Sequence, residues 1–156
     1  MANRWIEINY SLRLCRKVFA ILKQKNPDLL PDHIDILAYR KNSKKCSDLY
    51  NSQPSNSKNW VAHFVHGIPL FEDPHICIKQ DFLFFPFDIP TRKKKDKGKV
   101  VPPWSYCFGN WILIEVTVHE LSHYVHLDHN EDFFKIYHKF FLTMVIDNYS
   151  LFFTVR

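Results

Sequence analysis

The residues best suited to chemistry lie in Val118-His119-Glu120-Leu121-Ser122-His123. An H-E-x-x-H on a helix sets its histidines at i and i+4, one turn apart on one face, so both imidazoles reach the same ion. Neutral imidazole nitrogen suits zinc at about 2.0–2.1 Å, and zinc lowers the pKa of its water toward about 7. Glu120, beside the first histidine, is then placed to take that water's proton during attack. His119 and His123 are the expected metal ligands, Glu120 the expected general base, and one Zn2+ per chain the expected cofactor. The plain alternative is a pair of packed, hydrogen-bonded histidines on a buried helix.

A catalytic zinc takes three protein ligands and keeps one position open. His129 is the first candidate for the third. On a straight helix it would lie about 9 Å beyond His123 and off the ligand face. The chain must therefore bend between Val125 and Asp128. Asp128-x-x-Glu131 has the form of a capping box, which predicts a new helix from about His129 and supplies that bend. His126 and Glu131 are the rivals. His126 shares the face of His119 and His123 but sits a turn further on, where one straight helix closes a tetrahedron badly, so it is expected in the cleft or behind the ligands. A donor to the developing oxyanion is also expected, with Tyr106, Tyr137 and His126 as candidates. His63 and His66, three apart on a presumed strand, point to opposite faces and are expected to be structural. His33 and His75 are expected to be ordinary, and His138 falls on a different face of the last helix.

These side chains need elements to hold them. Ile6, Ile8, Leu12, Cys15, Val18, Phe19 and Leu22 predict an amphipathic helix over 5–25, ended by Asn26-Pro27-Asp28. Strands are predicted at 34–39, 60–66 and from 75 to 79, the last continuing toward Phe84. Gly67, Pro69, Asp73 and Pro74 favour an antiparallel meander. Residues 40–59 and 86–103 are predicted loops. A largely buried helix is predicted from about Asn110 through the histidines, and a last helix over 129–146. The expectation is one α+β domain over 1–156: an N-terminal helix, a small antiparallel or mixed three-stranded sheet, the H-E-x-x-H helix and a C-terminal helix.

Composition bounds the partners. With 46% hydrophobic and 16% aromatic residues the chain favours a packed globule over disorder, and three glycines leave little for phosphate-cradling loops. The formal net charge is +5, and much of the excess sits in Arg92, Lys93, Lys94, Lys95, Lys97 and Lys99. That run is either a solvated loop or a nucleic-acid contact. Cys15, Cys46, Cys77 and Cys107 are scattered, with no C-x-x-C pair, and are expected to be free thiols in a reducing interior. The N-terminus lacks the apolar stretch of a secretion signal, and no window is apolar enough for a membrane span. A cytoplasmic, intracellular protein is the expectation.

H-E-x-x-H-x5-H followed by aromatics, here HELSHYVHLDHNEDFF, resembles the SprT-like, WLM and YgjP-like group of minimal zincins, the YgjP-like pattern most closely. The match covers about residues 115–137. The resemblance implies a zinc metallopeptidase, a hydrolase acting on polypeptide, with His119, His123 and His129 as ligands and Glu120 as general base. It also implies that the strand near 75–84 is the edge along which an extended peptide is held. Relatives of this kind degrade proteins crosslinked to DNA, which the basic run would suit, although no zinc-ribbon cysteines accompany it. Metzincins share the histidine spacing but need glycine where this chain has His126. From a different class, the alternative is a zinc-stabilised module binding nucleic acid or protein, its H-E-x-x-H site structural or vestigial.

Overall fold

A computed structural model describes residues 2–39, 61–66, 74–79, 83 and 103–153, with side chains described from Ile8 onward except at 39 and 103–108. Among the described residues the fold is α+β, with three helices and one three-stranded sheet. In chain order these are α1 (Ala2–Lys25), β1 (Asp35–Tyr39), β2 (Ala62–Val65), β3 (His75–Lys79), α2 (Pro103–Val125) and α3 (Glu131–Asp147), then a 3-10 turn (Tyr149–Phe153).

Helix α1 buries Ile8, Leu12, Cys15, Val18 and Leu22, a stripe at helical spacing, against α2, β1 and α3. Lys23 closes its C-terminal end, donating to the carbonyls of Pro27 and Leu30 at 2.8 Å each and pairing with Asp32 at 3.0 Å.

The sheet is mixed. Its order is β1-β3-β2, with β1 parallel and β2 antiparallel to β3. The expected antiparallel meander is therefore corrected. A parallel pair needs a crossover of a dozen or more residues, and the chain between Tyr39 and His75 is long enough to supply one. In β3, His75 to Ile78 are all buried, as a central strand requires. The strand is described as far as Lys79; Leu83, on the predicted continuation toward Phe84, is helical rather than extended, and the rest of that stretch lies outside the described residues.

Helix α2 starts at Pro103, well before Asn110. Proline is suited to a first helical turn, and this one ends the predicted 86–103 loop by starting the helix. The helix is the hub of the fold, touching α1, α3, β2 and the 3-10 turn. Leu113, Ile114, Val118 and Leu121 face the common core with Ile36, Ile76, Ile78, Phe140 and Met144. Its buried polar groups are satisfied. Thr117 and Ser122 donate to the carbonyls of Leu113 and Val118 at 2.7 and 2.8 Å. Asn110 accepts from Tyr10 at 3.1 Å and donates to the Leu151 carbonyl at 3.0 Å, joining three elements through one side chain.

Cys77 is disulfide-bonded, which corrects the expectation of four free thiols; its partner lies outside the described side chains. Cys15 is free and fully buried, and burial pushes its thiol up to about 11. Among the described residues, no helix is long and apolar enough to cross a membrane.

Candidate metal centre and cleft

Helix α2 ends where the return of His129 to its face requires. The His126 amide makes the last helical bond, to the Ser122 carbonyl at 2.9 Å, and residues 127–130 leave the helix axis. The next helix starts at Glu131. Its N-cap is Asn130, with extended backbone (φ −101°, ψ −175°) and a side chain accepting from the Phe133 amide at 2.9 Å. The predicted capping box at Asp128 is thus corrected by two residues. Asp128 contributes its carbonyl instead, accepting from the Asn130 amide at 2.8 Å. Glu131 and Asp132 occupy the first turn, where the helix dipole favours negative charge.

This short bend returns His129 over the α2 face. Its Nε2 lies 3.0 Å from Nε2 of His119. One ligand atom from each of His119, His123 and His129 falls within 4.8 Å of the others. Phe133, fully buried, packs against all three rings, with centroids 5.1, 4.6 and 4.8 Å away. Neither rival joins the cluster. Glu131 is exposed and pairs with Lys135 at 2.9 Å. His126 serves through its backbone: its carbonyl lies 3.2 Å from His123 Nδ1. With the Nδ1 proton donated there, the lone pair of His123 is on Nε2.

Burial lowers the pKa of His119 to about 4, with His123 and His129 adding to it. His123 is also lowered, chiefly by burial. Both are therefore neutral near pH 7, the state in which imidazole ligates. Nitrogens about 2.0–2.1 Å from a tetrahedral ion would stand about 3.3 Å apart, close to the His119–His129 separation. The donor set fits a divalent metal ion.

Glu120 faces the same space. Only 7% of it is exposed, and burial raises its carboxyl to about 7, opposed by a hydrogen bond from the Phe64 amide. The sheet register accounts for that amide. Lys79 N–H donates to the Val61 carbonyl at 2.9 Å, so His63 and Val65 also turn their backbone groups toward β3. Ala62 and Phe64 turn theirs outward, to the edge beside α2 that no described strand covers.

A cleft runs between α2 and that edge in two lobes sharing Ala62, His119 and Glu120. One lobe, about 310 Å3, adds His63, Phe64, His123, Leu127 and His129. The other, about 330 Å3, adds Val61, Glu115, Val116 and Tyr137. The edge strand of the site is thus β2. The strand near 75–84, expected in that role, is central in the sheet.

Of the three oxyanion-donor candidates, Tyr137 lines the cleft. Its hydroxyl donates to Glu115 Oε1 at 3.3 Å, and burial, then the Glu115 charge, pushes it up to about 12. The imidazole of His126 is not among the lining residues, and the side chain of Tyr106 lies outside the described ones. So do Arg92 to Lys99, which leaves the expected nucleic-acid contact without a described structure. His138 is exposed beyond Tyr137, as its helical face predicts.

Two lining residues escaped the sequence reading. His63, expected to be structural, borders the ligand lobe, its pKa lowered to about 4 by burial and then by His75. Glu115 was missed, although its position one turn before His119 places it on the ligand face. No family model, curated protein or solved structure matches this chain.

Proposed function

We propose that the chain is a zincin-like zinc metallopeptidase that cleaves extended polypeptide. One observation carries the reading: three histidine side chains converge beside a buried glutamate, in a cleft walled by the outermost described strand of the sheet. Three imidazoles suit zinc among the common divalent ions, and three ligands leave a position for chemistry. Held by His119, His123 and His129, zinc would supply Lewis acidity toward a water and toward the scissile carbonyl.

The rest is work for the chain. His126 fixes the His123 ring through its carbonyl. Glu120 accepts the proton of the attacking water and returns it to the departing amine. The Phe64 amide holds that carboxylate toward the edge strand. The outward backbone groups of Ala62 pair with a substrate backbone laid along β2, as an added strand would. Tyr137, kept protonated, is the donor available to charge developing on the carbonyl oxygen.

Metal content by plasma mass spectrometry, joined to hydrolysis of a peptide mixture, tests this. The expected result is one zinc per chain, lost in His123→Ala and weakened in His129→Ala. Glu120→Gln keeps the zinc and loses turnover by about 10²–10⁴-fold. A zinc-free chain after supplementation, or full turnover in Glu120→Gln, overturns the proposal.

A further inference from the structure

We propose that the Glu115 lobe of the cleft is a subsite for a lysine or arginine side chain of the substrate, beside the bond that is cut. The inference rests on the peptidase reading for its substrate class and on the lobe itself for its selectivity. Glu115 lies four residues before His119 on α2, so its carboxylate stands one turn along the same face. The lobe between them holds about 330 Å3. Val61, Ala62, Val116 and the Tyr137 ring wall it, a lining suited to the aliphatic stem of a long basic side chain. Beyond the buried Glu120 that both lobes share, its acidic group is the exposed Glu115 carboxylate, which a cationic head reaches while keeping contact with water.

That carboxylate is held but not neutralised. Tyr137 donates to Oε1 at 3.3 Å, which fixes its direction and leaves Oε2 open. Among the described residues no lysine or arginine pairs with Glu115, whereas Asp32, Glu131 and Asp147 each have a lysine within 3.8 Å. The chain as a whole carries a formal +5 charge. Its long-range field repels cationic ligands, so a preference for them must arise locally, within about a Debye length of a carboxylate.

The test is peptide binding by fluorescence anisotropy to the zinc-loaded Glu120→Gln chain, which does not turn over. The probes are short alanine-rich peptides with one lysine moved through each position, together with norleucine and glutamate counterparts. At one position lysine is expected to bind about tenfold tighter than norleucine. Glu115→Gln abolishes that difference, and Glu115→Lys replaces it with a preference for glutamate, with zinc content the same throughout. Absence of binding, equal binding of lysine and norleucine at every position, or a lysine preference surviving Glu115→Gln overturns the subsite. The unsubstituted chain is given the same peptides in parallel. Peptides bound with the Glu115-dependent preference but never cut leave the subsite standing and remove the peptidase reading. Peptides cut without regard to lysine do the reverse.

Discussion

Phe133 ligates nothing, yet each of the three clustered histidines rests on it. Its ring is wholly buried and lies within 5.1 Å of all three imidazole centroids. A ring there removes rotamer freedom from the three imidazoles, which is how a supporting side chain raises metal affinity. Phe133→Ala is expected to cost about 3–5 kcal/mol of stability, as truncation of a buried aromatic does. It should also weaken zinc binding by about 10–100-fold. Phe133→Leu separates the two effects: it keeps most of the volume, but its flexible side chain holds the imidazoles less firmly. Denaturant unfolding of the metal-free chain and a competitive zinc titration read both. Unchanged zinc affinity in Phe133→Leu and Phe133→Ala would leave Phe133 a core residue only.

Among the elements, the five residues between α2 and α3 decide whether the centre exists. Asn130 caps α3 and thereby sets where the chain turns back with His129. Asn130→Ala is expected to cost about 0.5–2 kcal/mol and to weaken zinc binding with it, while Asn130→Asp restores both. Equal zinc affinity across the three chains, by the same titration, would separate the cap from the site. The need for this turn was legible in the sequence, since His129 returns to His119 only if the helix ends after Val125. The cap itself was ambiguous. Asp128 and Asn130 are both capping types within two residues, and choosing between them requires the backbone angles. Sheet order was hidden for a different reason. The HICIK run marks β3 as buried, but parallel pairing with β1 is a long-range contact that local turn residues cannot encode. The mistaken edge strand followed from that. Glu115 carries no such signal, because a lone carboxylate on an otherwise apolar helix face reads equally well as a solvated surface group.

For the whole molecule, redox state and pH give two separate readouts. The Cys77 disulfide departs from the free thiols expected from the cysteine spacing. Alkylation of the denatured chain should therefore modify fewer cysteines without reductant than the four available after reduction. Equal modification would restore the free-thiol expectation. The pH dependence is set by groups that burial moves in opposite directions. In the metal-free fold His63 and His119 stay neutral down to about 4, from an ordinary 6.5, and His123 is shifted the same way. Between those values the unfolded chain binds the extra protons, so stability rises with pH, is fully present above about 6.5 and is lost as pH falls toward about 4. Glu120 opposes this. Its carboxyl is raised from 4.5 to about 7, so over that range the folded chain holds the proton and stability falls as pH rises. Three histidines outweigh one carboxyl, although each histidine is partly exposed and solvent screening reduces its share. With EDTA present, the melting temperature should therefore fall on acidification from about pH 6.5 to about pH 4.5. His63→Gln makes the fall shallower by removing one of its sources. Glu120→Gln makes it steeper, because the opposing group is gone. A melting temperature that is flat across this range, or a shallower fall in Glu120→Gln, would show that these groups are not buried as the cleft requires.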